Sequence, residues 1–190
     1  MSGVTNGSGP RRTAEILDAT LHLLTERGYE RLTIEGVAER AGVNKTTIYR
    51  WWPSKAALLG AALIDAPLLR FTAPDTGSLH GDLTALTQAL VRLLTEPPSA
   101  AVAVAAFGAA AQNPELAAYA RTFFADRLAA ELPIFTRAAQ RGELAADADP
   151  MLIMDALAGA VWVRLVLRQL PIEEGYAAKL TSVLLAGIAL

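Results

Sequence analysis

The sequence contains no cysteine and only two histidines, His22 and His80, which lie far apart. The absence of cysteine excludes disulfides and thiolate-bound metals, and two isolated histidines do not have the spacing of metal ligands. The sequence also lacks a paired nucleophile and base and a glycine-rich phosphate loop. We therefore expect no catalytic residues, no metal and no cofactor, and an all-helical enzyme is the least supported class.

Long apolar runs are also missing. The longest, 100–111 and 156–163, are shorter than the roughly 20 residues that a membrane span needs. Residues 1–10 are rich in Gly and Ser and lack the apolar stretch of a signal peptide. We expect a cytoplasmic protein without a membrane partner, with 1–10 as a disordered tail.

Aromatic residues are scarce, at 6%, whereas hydrophobic residues rich in Ala and Leu make up 53% of the 190 residues. This composition favours helices over strands and supports a sizeable core. The sequence shows no strand pattern and no internal repeat. It predicts an all-α protein of about nine helices, in one compact unit or two small ones.

Net charge is small, at −2, which alone argues against nucleic acid, but the charge is unevenly distributed. Residues 1–55 carry eight Lys/Arg and six Asp/Glu, whereas 56–190 carry nine and thirteen. The N-terminal part is therefore the part suited to approach phosphate.

Capping residues and helix breakers predict the helix boundaries. We expect N-caps at Thr33, Asn44, Ser54, Asn113 and Asp149, and breaks at Gly28, Gly42 and Gly142. The predicted helices are 11–27, a short helix after Thr33, 45–51, a fourth from Ser54 to about Arg70, 79–95, 99–111, 114–141, 150–169 and 173–189. The irregular segment 71–78 predicts a boundary between domains.

Two short helices joined by Ala41-Gly42-Val43 have the pattern of a helix-turn-helix. Gly42 supplies the tight turn, and Val37, Val43 and Ile48 supply apolar anchors. The outer face of the third helix then offers side chains that can reach bases and phosphates in a major groove. They are Asn44, Lys45, Thr46, Thr47, Tyr49 and Arg50.

The stretch Thr33–Leu59 resembles the DNA-binding segment of TetR-family repressors, most specifically in Thr46-Thr47-Ile48-Tyr49 and Ser54-Lys55. Asn44, Thr46 and the Trp51-Trp52 pair depart from the family pattern, which affects the operator sequence and not the fold. The resemblance implies a three-helix DNA-binding domain at 11–56. It also implies a larger helical domain at 57–190 that senses a ligand and dimerises.

The same resemblance implies roles for individual residues on double-stranded operator DNA. Thr33, Tyr49 and Lys55 contact phosphates, and Arg11 and Arg12 contact the backbone or minor groove, or are simply solvated. Lys45, Thr46, Thr47 and Arg50 are candidates for base edges, while Asn44 is a helix cap in any case. Trp52 is expected in the core, and Trp51 either reaches a phosphate or covers the domain surface.

In the second domain, the resemblance implies a cavity for an unknown small-molecule effector. The lack of charged residues in 100–111 predicts that this effector is apolar. Candidate lining residues are Leu86, Leu90, Phe107, Phe123 and Trp162, and ordinary core is the alternative for each of them. The resemblance also implies a homodimer through 150–169 and 173–189. One apolar face there carries Ile153, Leu157, Ala160 and Val161, and another carries Leu180, Val183, Leu184, Gly187 and Ile188.

Other functions for a helix-turn-helix protein stay open at this point. A ligand-independent activator or architectural protein is poorly separated from a repressor by sequence. A dimeric binding protein with a vestigial DNA domain is disfavoured because Thr33, Tyr49, Arg50 and Lys55 are all present.

Overall fold

The computed structural model describes residues 12–186, and within them it contains nine α-helices and no strand. The helices are α1 (Thr13–Arg31), α2 (Ile34–Ala41), α3 (Lys45–Trp51), α4 (Lys55–Asp65), α5 (Leu79–Thr95), α6 (Ser99–Ala110), α7 (Pro114–Gln140), α8 (Pro150–Trp162) and α9 (Tyr176–Ala186). The all-α prediction is confirmed. The predicted tail 1–10, Arg11, Gly187 and Ile188 lie outside the described residues.

Side-chain caps begin the helices where the sequence predicts them. Thr33, Asn44 and Ser54 each accept a hydrogen bond from a backbone N–H in the first turn of the helix that follows. Asn113 and Asp149 do the same ahead of the prolines that begin α7 and α8. These predictions succeed because a cap depends on neighbours within three residues.

The fourth helix is shorter than predicted, ending at Asp65 instead of near Arg70. Pro67 explains the difference, because a proline has no backbone N–H and disfavours helical geometry in the residue before it. Ala66 is accordingly extended, and a short 3-10 turn, Pro67–Leu69, follows. The first helix is longer than predicted, since helical residues resume after Gly28, which has φ +74° and ψ 167°.

The described chain divides into two compact units. The first comprises residues 12–67 and 105–123, and the second comprises 68–104 and 124–186. In the first unit, α1 packs on α2 and α4, and α3 packs on α2. The predicted functional domains, 11–56 and 57–190, remain a prediction, because this division concerns packing alone.

The second unit is built on α5, which packs against α8 and α9. Its apolar core comprises Leu79, Leu83, Leu86, Ile134, Phe135, Ala138, Ile153 and Leu157. Ile153 and Leu157 therefore face this core, so the face predicted for the dimer is filled by the chain itself. The exposed face of α8 carries other apolar residues, among them Leu152 and Met151.

One helical stretch, Pro150–Leu167, is longer and more apolar than the sequence runs suggested. It comprises α8 and a π-helical turn, Val163–Leu167, and by length and composition it could cross a membrane. In the single chain 17% of this stretch is buried. The same features are typical of a helix that packs in a core or against another subunit.

A buried carboxylate organises the segment that precedes α5. Asp82 is fully buried, and its Oδ1 accepts hydrogen bonds from the backbone N–H and the hydroxyl of Thr76, at 2.6 and 2.8 Å. Its Oδ2 lies 3.6 Å from Arg137 and 3.9 Å from Arg141, both near the end of α7. Asp82 therefore ties the loop before α5 to α7.

Replacing Asp82 with Asn should lower the free energy of unfolding by about 2–3 kcal/mol, because Arg137 loses its buried counter-charge. Asp75 is the matched control, since it also pairs with Arg137, at 3.4 Å, but its side chain is 65% exposed. Asp75→Asn should cost less than about 0.5 kcal/mol. Urea unfolding of both variants measures the difference, and equal losses would show that burial of Asp82 is not what matters.

Candidate nucleic-acid interface

Helix α3 has seven residues, and one of them anchors it to the core. Ile48 is fully buried, while Lys45, Thr46, Tyr49, Arg50 and Trp51 are exposed. Asn44 begins the helix by accepting a hydrogen bond from the backbone N–H of Thr46 at 3.0 Å, and it also accepts one from that residue's hydroxyl. The helix therefore directs a polar face outward while its single anchor fixes it to the core.

The turn between α2 and α3 is held on two sides. Gly42 adopts φ +63° and ψ +39°, a left-handed conformation that favours glycine, and Val43 N–H donates to Ala38 O at 2.9 Å. From the start of α1, the Arg12 guanidinium donates to Gly42 O at 3.0 Å. Arg12, predicted either to contact DNA or to be solvated, thus fixes the helix-turn-helix turn.

Thr33 and Lys45 stand at the first turns of α2 and α3. The Thr33 hydroxyl accepts from Gly36 N–H at 3.1 Å, so it is a cap whose side chain is exposed. Lys45 Nζ donates to Glu35 Oε1 at 3.3 Å, and both side chains are more than half exposed. Exposed helix N-termini attract anions through their outward-pointing N–H groups.

Glu35 is ionised at neutral pH. Its pKa is lowered first by a hydrogen bond from its own backbone N–H and then by the hydrogen bond from Lys45. This carboxylate was not among the predicted site residues, although it lies beside one of them.

Lys55 has partners within the protein. Its Nζ donates to Tyr29 O at 2.8 Å and to Glu30 O at 3.5 Å, and it lies 4.2 Å from the centre of the Tyr29 ring. The half-buried Lys55 therefore joins the start of α4 to the end of α1. The contact of Lys55 with a DNA phosphate stays a prediction. Two of the three ammonium hydrogens already have acceptors in the protein, so the third would have to make this contact.

Tyr49 and the two tryptophans differ in burial. Tyr49 is 45% exposed and Trp51 is 40% exposed, whereas Trp52, which was expected in the core, is half-buried. The Arg50 guanidinium lies 6.0 Å from the centre of the Trp51 ring, at the outer limit of a cation–π contact. Thr47 is half-buried, so Tyr49 and Arg50 are the more accessible groups in the C-terminal half of the helix.

Another part of the first unit packs behind α4. Ser54, which caps α4, donates a hydrogen bond to Glu115 Oε1. Gly60 allows close approach of Tyr119, since a Cβ there would lie 2.3 Å from Tyr119 Cγ. The start of α7 therefore packs directly on the helix that follows the recognition helix.

The predicted effector-lining residues are distributed over both units. In the first unit, the rings of Phe107 and Phe123 pack with centres 5.4 Å apart. In the second unit, Leu86 belongs to the buried core, Leu90 packs against that core, and Trp162 is half-buried at the end of α8. Their role in binding an effector stays a prediction.

Family comparisons cover both parts of the chain. Residues 16–62 match the model of bacterial regulatory proteins of the tetR family, and residues 73–184 match the tetracyclin repressor-like C-terminal domain. The chain belongs to the TetR family. It is thus a DNA-binding transcriptional regulator of the TetR type, with an N-terminal helix-turn-helix followed by a helical C-terminal domain.

Similar proteins match this chain along most of their length. The chain is 33% identical to the DNA-binding transcriptional repressor TetR of Mycobacteroides abscessus over 178 residues, 92% of each protein. It is 31% identical to the uncharacterized HTH-type transcriptional regulator YdeS of Bacillus subtilis, covering 91% of this chain and 87% of that protein. The crystal structure of a TetR family transcription regulator matches with a TM-score of 0.75 and 34% identity, covering 95% and 100%.

Proposed function

We propose that this TetR-family regulator is a cytoplasmic repressor that binds a palindromic operator as a homodimer and is released by an apolar small molecule. The observation that carries the DNA-binding part is the exposed polar face of α3 on a single buried anchor, Ile48. A helix of this length fits the major groove. The proposed contacts are those of Thr33, Asn44, Lys45, Thr46, Thr47, Tyr49, Arg50 and Lys55.

Arg50 and Tyr49 have different proposed partners on DNA. An exposed arginine in the last turn of α3 can bind a guanine edge through two hydrogen bonds, which discriminates between sequences. The Tyr49 hydroxyl is an uncharged donor that suits a phosphate oxygen, which is the same at every sequence.

Arg50→Ala should therefore weaken operator binding by about 1–3 kcal/mol and relax the base preference at one position in each half-site. Tyr49→Phe removes only the hydroxyl and should weaken binding to operator and to scrambled DNA by a similar factor. Operators selected from random DNA by the wild type and by each variant test this difference. Unchanged affinity and preference in both variants would exclude α3 as the recognition helix.

The proposed dimer rests on apolar side chains that the single chain leaves exposed. On the 150–167 stretch these are Leu152 and Leu167, exposed by 66% and 69%, and on α9 Val183 is exposed by 68%. Large side chains exposed on adjacent helices are typical of an interface. Two-fold symmetry would bring both helices of one subunit against the same helices of its partner.

Val183→Arg should give monomers, since it would bury an unpaired charge in the dimer while costing little in the single chain. Leu184 is a less specific position, because it packs against the core of its own unit. Val104→Arg is the matched control, an exposed valine outside the two interface helices. Light scattering and operator binding measure the outcome, and a dimeric Val183→Arg protein would place the interface elsewhere.

The proposed effector is apolar because α6 carries no charged side chain, so a charged ligand would lack partners beside it. The candidate contacts are Phe107 and Phe123 within the first unit, and Leu86, Leu90 and Trp162 within the second. Coupling of about 1–3 kcal/mol between effector and operator would suffice to release DNA substantially.

A screen for compounds that release labelled operator tests the effector proposal. Phe107→Ala tests the candidate contacts in the first unit and Trp162→Ala tests those in the second. The replacement in the unit that holds the effector should weaken binding of a compound found in the screen, which isothermal titration measures. If neither variant changes its affinity, the effector binds elsewhere. By reciprocity, operator DNA must weaken effector binding by the same factor, and an unchanged affinity with operator present would contradict the coupling.

A further inference from the structure

The pair Glu35–Lys45 places a carboxylate on the proposed DNA-binding surface. Glu35 lies in the first turn of α2, and Lys45 is the first residue of α3. Their charged atoms are 3.3 Å apart, and the two side chains are 55% and 56% exposed. The pair therefore bridges the two helices of the helix-turn-helix at the ends where N–H groups point outward.

An exposed ion pair of this kind contributes little to stability, typically less than about 1 kcal/mol. The position of the Glu35–Lys45 pair also affects how this surface would bind DNA. The N-terminal ends of α2 and α3 are where DNA phosphates are expected to bind. A carboxylate there repels a phosphate. Glu35 also accepts a hydrogen bond from the Lys45 ammonium group, which would otherwise be available to bind a phosphate.

Phosphates and base edges respond differently to this arrangement. A phosphate oxygen carries negative charge and must compete with Glu35 for Lys45. The N7 and O6 atoms of guanine are neutral acceptors, so they can accept a hydrogen bond from Lys45 while Glu35 stays beside it. The Glu35–Lys45 pair thus disfavours phosphate contacts, which every DNA sequence offers, and still allows Lys45 to contact a base.

We infer that Glu35 is a specificity-determining residue that holds Lys45 away from backbone phosphates and so weakens binding to non-operator DNA. The inference rests on the proposed contact between α3 and DNA. It assigns a function to a residue outside the recognition helix, one that itself has no hydrogen to donate to a base or phosphate.

Glu35→Gln should raise affinity for a scrambled duplex about three- to tenfold at moderate salt, because Lys45 becomes available to neutralise a phosphate. The slope of log affinity against log salt should steepen by about one for each Lys45 that engages a phosphate. Affinity for an operator selected from random DNA should change by less than about twofold, so the ratio of operator to scrambled affinity falls. Fluorescence anisotropy over a series of KCl concentrations measures all three quantities.

Glu26→Gln is the matched control, since it removes the same charge from the same unit. Glu26 lies 3.5 Å from Arg27 and 3.8 Å from Arg40, neither of which is on α3. Its replacement should leave the specificity ratio unchanged. Glu35→Gln in a Lys45→Gln background completes a double-mutant cycle, and there the effect of Glu35 should vanish.

The inference is overturned if Glu26→Gln lowers the ratio equally, since the effect is then net charge alone. It is also overturned if Glu35→Gln acts equally with and without Lys45, or raises affinity for both duplexes by the same factor. If instead Lys45→Gln changes binding to neither duplex, Lys45 does not reach DNA. The proposed contact of the first turn of α3 then fails together with the inference.

Discussion

The burial of Ile48 is the constraint on which the DNA-binding surface depends. A helix of seven residues is too short to be stable alone, so it must be held by tertiary packing. Ile48 is its one fully buried residue, and packing of α3 on α2 fixes the axis of the helix. The side chains of α3 that are proposed to read DNA therefore depend on that contact for their direction.

The residues around this anchor fix the remaining freedom of the helix. Asn44 fixes where it begins, Gly42 fixes the direction in which the chain enters, and Arg12 hydrogen-bonds the carbonyl of Gly42. On the far side, Lys55 joins α4 to the carbonyls at the end of α1. The positions of the side chains proposed to read bases thus depend on residues that need not touch DNA themselves.

The sequence was sufficient where interactions are local. Caps such as Thr33 and Asn44 act within three residues, and the left-handed turn at Gly42 needs only a glycine between two amphipathic segments. The bounds of α3 and α5 were predicted to the residue for this reason. The end of α4 was predicted too late, although the effect of Pro67 on the residue before it is also local.

Contacts between distant residues could not be predicted in the same way. Arg12 and Gly42 are 30 residues apart, and Asp82 meets Arg137 from another helix. Likewise, the sequence placed Ile153 and Leu157 on an apolar face, but it could not tell which partner covers that face. The sequence contained one signal for Glu35, which is an acidic residue in a segment otherwise suited to bind phosphate. Its pairing with Lys45, ten residues away, became evident only in the structure.

Hydroxyl-radical footprinting on an operator selected from random DNA tests the central claim most directly, that two copies of α3 enter successive major grooves. The account predicts two protected regions related by two-fold symmetry, with centres about 10–10.5 base pairs, or a multiple of that, apart. Protection should weaken in both regions together when Arg50 is replaced by Ala. A single protected region, or a pattern that the Arg50→Ala variant reproduces in full, would contradict the account.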